Sequence, residues 1–142
     1  MTVSETYDFL NAIRRTEAEM VKLRLKHDAL QSCLLPQAIR YDGDHVQSSP
    51  EDLMSTTAAE VVDLEQQIRI LNHKKLQQIS DISFAIAKLD SDVEQMVLLG
   101  FYVGRLPVVK VAEIVHYTER GVYKVKARAV RHLAEKCTER SC

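Results

Sequence analysis

The residues best suited to chemistry in this 142-residue chain are cations in its C-terminal quarter. Residues 119–136 contain six lysines and arginines against two glutamates, a local charge of +4. On a helix, one side of this stretch is apolar, with Val122, Val125, Ala129 and Leu133. The other side carries Arg120, Tyr123, Lys124, Arg128 and Arg131. Cations grouped in this way bind phosphate, so the pattern indicates a polyanionic partner.

The charge distribution along the chain supports this interpretation. Residues 1–104 hold 10 Lys and Arg against 16 Asp and Glu, whereas residues 105–142 hold 9 against 4. Solvated helices often carry such a surplus, and a basic helix that merely packs on its neighbours stays open as an alternative.

The elements that position these cations are two helices. Pro107 precedes a short helix over Val108–Val115, in which Val111, Ala112 and either Ile114 or Val115 can be buried. A tight connection at 116–118 then leads to a second helix, from Glu119 to about residue 136, with Thr118 as its N-cap. The order predicts a helix-turn-helix whose two helices cross closely at the small Ala112.

This arrangement predicts contacts to double-stranded DNA. Thr118 and the amides after it would hold a phosphate. Four side chains would approach base edges in the major groove, namely Glu119, Arg120, Tyr123 and Lys124. Three more would contact the backbone, namely Lys126, Arg128 and Arg131.

Upstream, composition and periodicity predict an all-α fold. The chain has 4 Gly, 3 Pro, 3 Phe and no Trp, which disfavours a β-rich structure. A first helix is predicted from about residue 3 to 34, with Ser4 as N-cap and Pro36 as stop. A connector over 35–49 follows, in which Asp42-Gly43-Asp44 indicates a turn rather than a calcium loop, since no later acidic ligand follows.

A second long helix is predicted over about 50–90, because Ser49-Pro50 is a strong helix start and no Gly or Pro interrupts residues 51–90. Forty residues would span about 60 Å, which needs a partner helix. Its apolar seam is the predicted oligomerisation surface: Val61, Leu64, Ile68, Leu71, Lys75, Ile79 and Ile82. An intrachain hairpin and an intermolecular bundle both satisfy the pattern. Lys75 interrupts this seam. Either its aliphatic stem packs there while its ammonium group reaches water, or it selects the register or the partner of the helix pairing.

These elements predict three segments. Residues 1–90 form a two-helix coiled-coil arm, 91–136 a helix-turn-helix module, and 137–142 a tail. Ser91 with Glu94 predicts a capping box at the start of the module, and Gly104 a helix end within it.

Other function classes have little support in the sequence. There is no Gly-rich phosphate loop, no H-E-x-x-H and no C-x-x-C, so neither an enzyme nor a cofactor or metal is expected. The cysteines at 33, 137 and 142 are expected to be reduced thiols without a role. No apolar run is long enough to cross a membrane, and a cytoplasmic location is expected.

Three stretches of the chain carry a family resemblance: YDGDHVQSSPEDLM at 41–54, AEVVDLEQQI at 59–68 and VAEIVHYTERGVYKVKARAV at 111–130. In them the chain resembles the phage and prophage late transcription regulators grouped with ArpU and RinA, whose C-terminal part is similar to region four of bacterial sigma factors. The resemblance implies a sequence-specific DNA-binding regulator in a bacterial host cell, with bacterial RNA polymerase as a further expected partner. Homo-oligomers are expected on separate grounds, because the second long helix presents more apolar length than the first can cover.

The chain departs from the family pattern at four positions. Phe101 stands for the usual Arg, Val108 for Trp, His116 for a turn glycine and Lys126 for His. The first two alter the packing expected around the helix-turn-helix, and His116 implies mild backbone strain. The basic face is retained.

Two alternatives stay open. A phage packaging protein similar to the small terminase subunit also combines a helix-turn-helix with helical oligomerisation, although its DNA-binding part usually comes first. An interaction scaffold that captures polymerase or another regulator through its arm is the other.

Overall fold

A computed structural model describes residues 1–34 and 50–139, and within these ranges the chain contains helices and no strand. This described part of the chain contains six α-helices and one π-helical segment, Leu99–Val103, that directly continues the fourth helix. The helices are α1 Val3–Leu10, α2 Ala12–Leu34, α3 Pro50–Ile86, α4 Asp92–Leu98, α5 Val108–Val115 and α6 Glu119–Glu139. The expected all-α class is confirmed for this part of the chain. The predicted connector, with its Asp42-Gly43-Asp44 turn, lies outside the described residues.

The N-terminal helix starts at Val3, as predicted, but it has a different N-cap and is interrupted. Thr2, not Ser4, is the N-cap: its Oγ1 accepts a hydrogen bond from the Glu5 amide at 3.1 Å, and the Thr2 amide donates to the Glu5 carboxylate at 2.8 Å. The reciprocal pair satisfies two backbone donors, which Ser4 with Tyr7 could not do. The single helix predicted over 3–34 is divided at Asn11 into α1 and α2.

The third helix and its successor also differ from the predicted bounds. Helix α3 starts at Pro50 as expected but ends at Ile86 instead of 90, and tighter turns follow. The helix that continues through the π-helical segment ends at Gly104, as predicted. The left-handed backbone, however, belongs to Arg105 (φ 53°), whereas Gly104 keeps φ at −77°.

The described chain divides into two compact units. One comprises Met1–Arg15 with Lys75–Cys142, and the other Thr16–Lys74. The first unit therefore draws on both long predicted helices, and its boundaries differ from the division predicted at residue 90.

The first unit has two apolar clusters. The larger joins α1 and the start of α2, the end of α3 and the turn after it, α4 with the π-helical segment, and the C-terminal half of α6: Leu10, Ile13, Ile82, Ala85, Ile86, Leu89, Leu98, Tyr102, Ala129, Val130, Leu133 and Cys137. The smaller joins α4, α5 and the first half of α6: Val97, Val111, Ala112, Val115, Val122 and Val125. Cys137 is buried in the first cluster on a helix that continues to Glu139, so the tail predicted from 137 is wrong for these residues.

In the described residues, the second unit contains most of α2, from Thr16, and the part of α3 that ends at Lys74. His27 Nε2 lies 3.1 Å from the Glu65 carboxylate, and Leu23 shares a groove with Ile70 and Leu71, so the helices run antiparallel here. Among the described residues of this unit, the buried side chains are Thr16, Met20, Val61 and Leu64. The two partner carboxylates of His27, Glu65 first and Asp28 second, raise its pKa above the usual value.

The predicted oligomerisation surface is largely occupied by the chain itself. Val61 and Leu64 are buried in the second unit, and Ile82 is completely buried in the core of the first. Ile68 and Leu71 are half-buried in the second unit, as are Lys75 and Ile79 in the first. Side chains buried within one chain cannot at the same time contact another, so Val61, Leu64 and Ile82 are core residues and that assignment is corrected. None of the described helices has the length and apolarity that a membrane span requires.

Candidate nucleic-acid interface

Helix α5 is held against α6 by small apolar side chains. Val111, Ala112 and Val115 are buried against Val122 and Val125 of α6. Ala112 is 9% exposed at this crossing, so a longer side chain there would push the helices apart. Of the two alternatives expected to be buried, Val115 is the buried one, and Ile114 is 53% exposed and belongs to the surface.

The connection between the two helices is closed by its own backbone and by Thr118. His116 adopts the left-handed conformation at φ 59° and ψ 38°, and its amide donates to the Ala112 carbonyl. Thr118 Oγ1 accepts from the Gly121 amide at 3.1 Å, as an N-cap does. A Cβ on Gly121 would lie 3.1 Å from that same oxygen, so glycine gives the cap its space.

The outer side of α6 carries a cationic stripe, formed by Arg120, Lys124 and Arg131. The three side chains are exposed and lie close in direction on the helix, four and seven residues apart, with the small Ala127 between them. Within residues 1–34 and 50–139, no carboxylate forms an ion pair with any of the three. A stripe of neighbouring like charges without counterions attracts an anion from solution.

Arg128 is engaged by the protein itself. Its Nε donates to the Glu94 carboxylate at 3.0 Å, and His132 Nδ1 lies 2.9 Å from both oxygens of the same group. The Glu94 side chain is 4% exposed, against 50% for Arg128 and 46% for His132. The carboxylate thus attaches α4 to α6. The backbone amide of Glu94 donates to Ser91 Oγ at 3.4 Å, which is one half of the predicted capping box. The Glu94 side chain does not complete the box, because it turns towards α6.

Lys126 is half-buried beside aromatic rings. Its Nζ lies 4.8 Å from the Phe101 ring centre and 5.4 Å from that of Tyr102, both cation–π distances. Burial, together with the charge of Arg14, lowers the pKa of Lys126. Burial also raises the pKa of Tyr102 to about 12. The Phe101 ring further contacts Tyr123, with the ring centres 6.2 Å apart.

The predicted DNA-contacting residues therefore fall into two groups. Six are exposed around the start and outer side of α6: Thr118, Glu119, Arg120, Tyr123, Lys124 and Arg131. Lys126 and Arg128 instead have partners within the protein.

Sequence reasoning missed two residues that shape this surface. Glu94 was assigned only as part of a helix cap. It lies four residues before the buried Leu98 and therefore on the same helix face, which could have indicated that its side chain points towards the core. Arg14 was not among the predicted interface residues, and no sequence signal connects it to Lys126, which is more than 100 residues away.

Comparison with known proteins adds no relative: the chain matches no family model, no curated protein and no solved structure. Among the residues described, no three histidine, cysteine or acidic side chains are grouped in a way that could hold a metal ion.

Proposed function

We propose that the chain is a sequence-specific DNA-binding transcription regulator, encoded by a phage or prophage, in which α5 and α6 act as a helix-turn-helix. The observation that carries the proposal is the cationic stripe Arg120, Lys124 and Arg131, exposed and without a described counterion. A helix of this kind fits the major groove, which admits one α-helix and displays a donor and acceptor pattern for each base pair.

The stripe supports a division of roles along α6. Arg120 and Lys124 lie in the first turns, where a recognition helix meets base edges, and Tyr123 lies beside them. Arg131 lies about three turns after Arg120 and suits a contact to a backbone phosphate. Thr118 and the first amides of α6, exposed at a positive helix end, suit another phosphate.

The decisive experiment is selection of bound duplexes from a random pool, followed by mobility-shift titration of the selected site. Replacing Arg120 or Lys124 by Ala should weaken binding to the selected site by about 1–3 kcal/mol and remove the preference for one base at one position of the site. Replacing Arg131 by Ala should weaken all duplexes alike. Lys22→Ala removes the same charge from an exposed position in the second unit and serves as control. If the pool yields no enriched sequence, or if the α6 variants bind like the control, DNA readout by α6 is refuted.

A second candidate is a helical oligomer for DNA packaging or protein interaction. It is favoured by apolar side chains that α2 and α3 leave exposed in the second unit, among them Val21, Leu25 and Ile70. Light scattering separates the two candidates: a large ring favours packaging, whereas a monomer or dimer favours the regulator. Contact with RNA polymerase belongs to the first proposal and is testable by co-purification with the host enzyme.

A further inference from the structure

We infer that the chain forms a two-fold symmetric dimer in which one exposed side of α3 packs antiparallel against the same side of α3 in a second copy. The surface that carries the inference is a row of four exposed residues in the second unit, the pairing stripe: Asp63, Gln67, Ile70 and Lys74. The inference goes beyond the proposed function and does not depend on DNA binding.

The pairing stripe lies on a single side of α3. Its members are four, three and four residues apart, and these spacings return to the same face of a helix. Each member stands one residue before a member of the apolar seam predicted from the sequence. The stripe therefore borders that seam and stays exposed, whereas the seam residues beside it are buried or half-buried in the chain itself.

The middle of the pairing stripe borders an open groove between α2 and α3. Gln67 and Ile70 line this groove together with Leu71 and, from α2, Leu23. Ile70 is 68% exposed, whereas Leu23 and Leu71 are half-buried and form an apolar floor. A protruding isoleucine beside an open apolar groove is a knob next to a hole. The Ile70 side chain of a second copy is the occupant that we assign to the groove, because its insertion removes apolar surface of both copies from water.

The charges of the pairing stripe favour a second copy in the antiparallel orientation. Asp63 stands at one end of the stripe and Lys74 at the other, and the spacing is the same in both directions. A two-fold axis midway between Gln67 and Ile70 therefore places Asp63 of each copy opposite Lys74 of the other. Within residues 1–34 and 50–139, neither of these two side chains has an ion-pair partner. The stripe thus complements itself in charge, as a two-fold interface requires, whereas a parallel pairing would bring like charges together.

Sedimentation equilibrium of the full chain, over a range of protein concentrations, measures the mass of the assembly and the dissociation constant of the dimer. The wild-type chain should reach twice the 16.2 kDa of one chain and no more, since a two-fold contact closes on itself. Ile70→Asp should raise the dissociation constant about 100-fold, because it introduces an unpaired charge into the interface twice. Val62→Asp is the matched control, since Val62 is 51% exposed on the same helix and lies off the stripe.

Charge reversal tests the antiparallel register. Asp63→Lys and Lys74→Asp each bring like charges together across the axis, and each should raise the dissociation constant about tenfold. Arg69→Glu, an exposed position of α3 off the stripe, should leave it unchanged. An equimolar mixture of Asp63→Lys and Lys74→Asp chains should form a heterodimer about as tight as the wild-type dimer, because opposite charges then meet between unlike copies. A change in the folding of either single variant could not produce this recovery.

Three results would each overturn the inference: a wild-type chain that is monomeric at every concentration or forms a larger ring, an Ile70→Asp variant that dimerises like Val62→Asp, or a mixture that restores nothing. The proposed function is judged separately by duplex binding. A monomeric wild-type chain that binds its selected duplex would refute the dimer and leave DNA readout by α6 in place, and a dimer that binds no duplex would do the reverse.

Discussion

The buried Glu94 carboxylate offers the sharpest test of how α6 is held in place. Arg128→Met removes one of the two side chains that contact this carboxylate, Arg128 and His132, while keeping an unbranched stem. Glu94→Gln instead removes the charge and keeps the shape. In the first variant a carboxylate that is 4% exposed retains only His132. In the second, Arg128 and His132 are each about half exposed and can turn to water.

The two costs should therefore be unequal. Arg128→Met should lower the free energy of unfolding by about 2–3 kcal/mol, because it leaves a buried carboxylate short of one hydrogen-bond partner. The loss should be at the low end of what breaking a buried ion pair costs, because His132 remains. Glu94→Gln should cost only about 1 kcal/mol, the net value of a weakened hydrogen bond. The double variant should cost less than the sum of the two, because the residues act as one network.

Urea denaturation followed by far-ultraviolet circular dichroism measures these differences. Arg131→Met, three residues along the same helix and without a described ion-pair partner, should lie within about 0.5 kcal/mol of wild type. The reasoning is refuted if Arg128→Met is no more destabilising than Arg131→Met, or if Glu94→Gln costs more than Arg128→Met.

Three further outcomes are expected. His116→Gly should stabilise the first unit by about 0.5–1 kcal/mol, since glycine adopts φ 59° without strain, and thermal melting against a destabilised His116→Val variant checks this. Ala112→Leu should destabilise the first unit by about 1–3 kcal/mol, because the larger side chain separates α5 from α6. Loss of cooperative thermal melting and loss of DNA binding would show this effect, and an unchanged melting curve would contradict the tight crossing. The contribution of His27 is fully present below its unfolded-state pKa and is lost as the pH rises through its raised folded-state pKa, so the second unit should weaken from mildly acidic to mildly alkaline pH. Hydrogen exchange of α2 amides should show this weakening in wild type and not in His27→Gln.

Local chemistry made several elements predictable. Pro107 and Thr118 mark the start of a helix and an N-cap, and α5 and the first residue of α6 lie where these signals placed them. The apolar residues of α6 recur with helical periodicity, and all four that were expected to be buried are at most 4% exposed. Such features depend on hydrogen bonds and side-chain directions within a few residues, which the sequence states directly.

The helix ends were less predictable because competing signals are also local. Thr2 and Ser4 are both residue types that cap helices, but Thr2 has Glu5 three residues later and completes a capping box, whereas Ser4 has Tyr7 and cannot. The division at Asn11 has no Gly or Pro to announce it. Cys137 was taken for part of a tail, yet α6 continues because the core of the first unit covers its last turns.

By itself, the sequence determined the all-α class of the described chain, the apolar and cationic sides of α6, and the short α5 before it. These follow from periodicity, capping and charge, which act between residues close in the chain. Tertiary structure alone decided which cations remain available: Arg128 is bound by a carboxylate 34 residues earlier, and Lys126 lies over rings from the π-helical segment. The physical reason is that a side chain's charge is written in the sequence, whereas its neutralisation depends on what folding brings within a few ångströms.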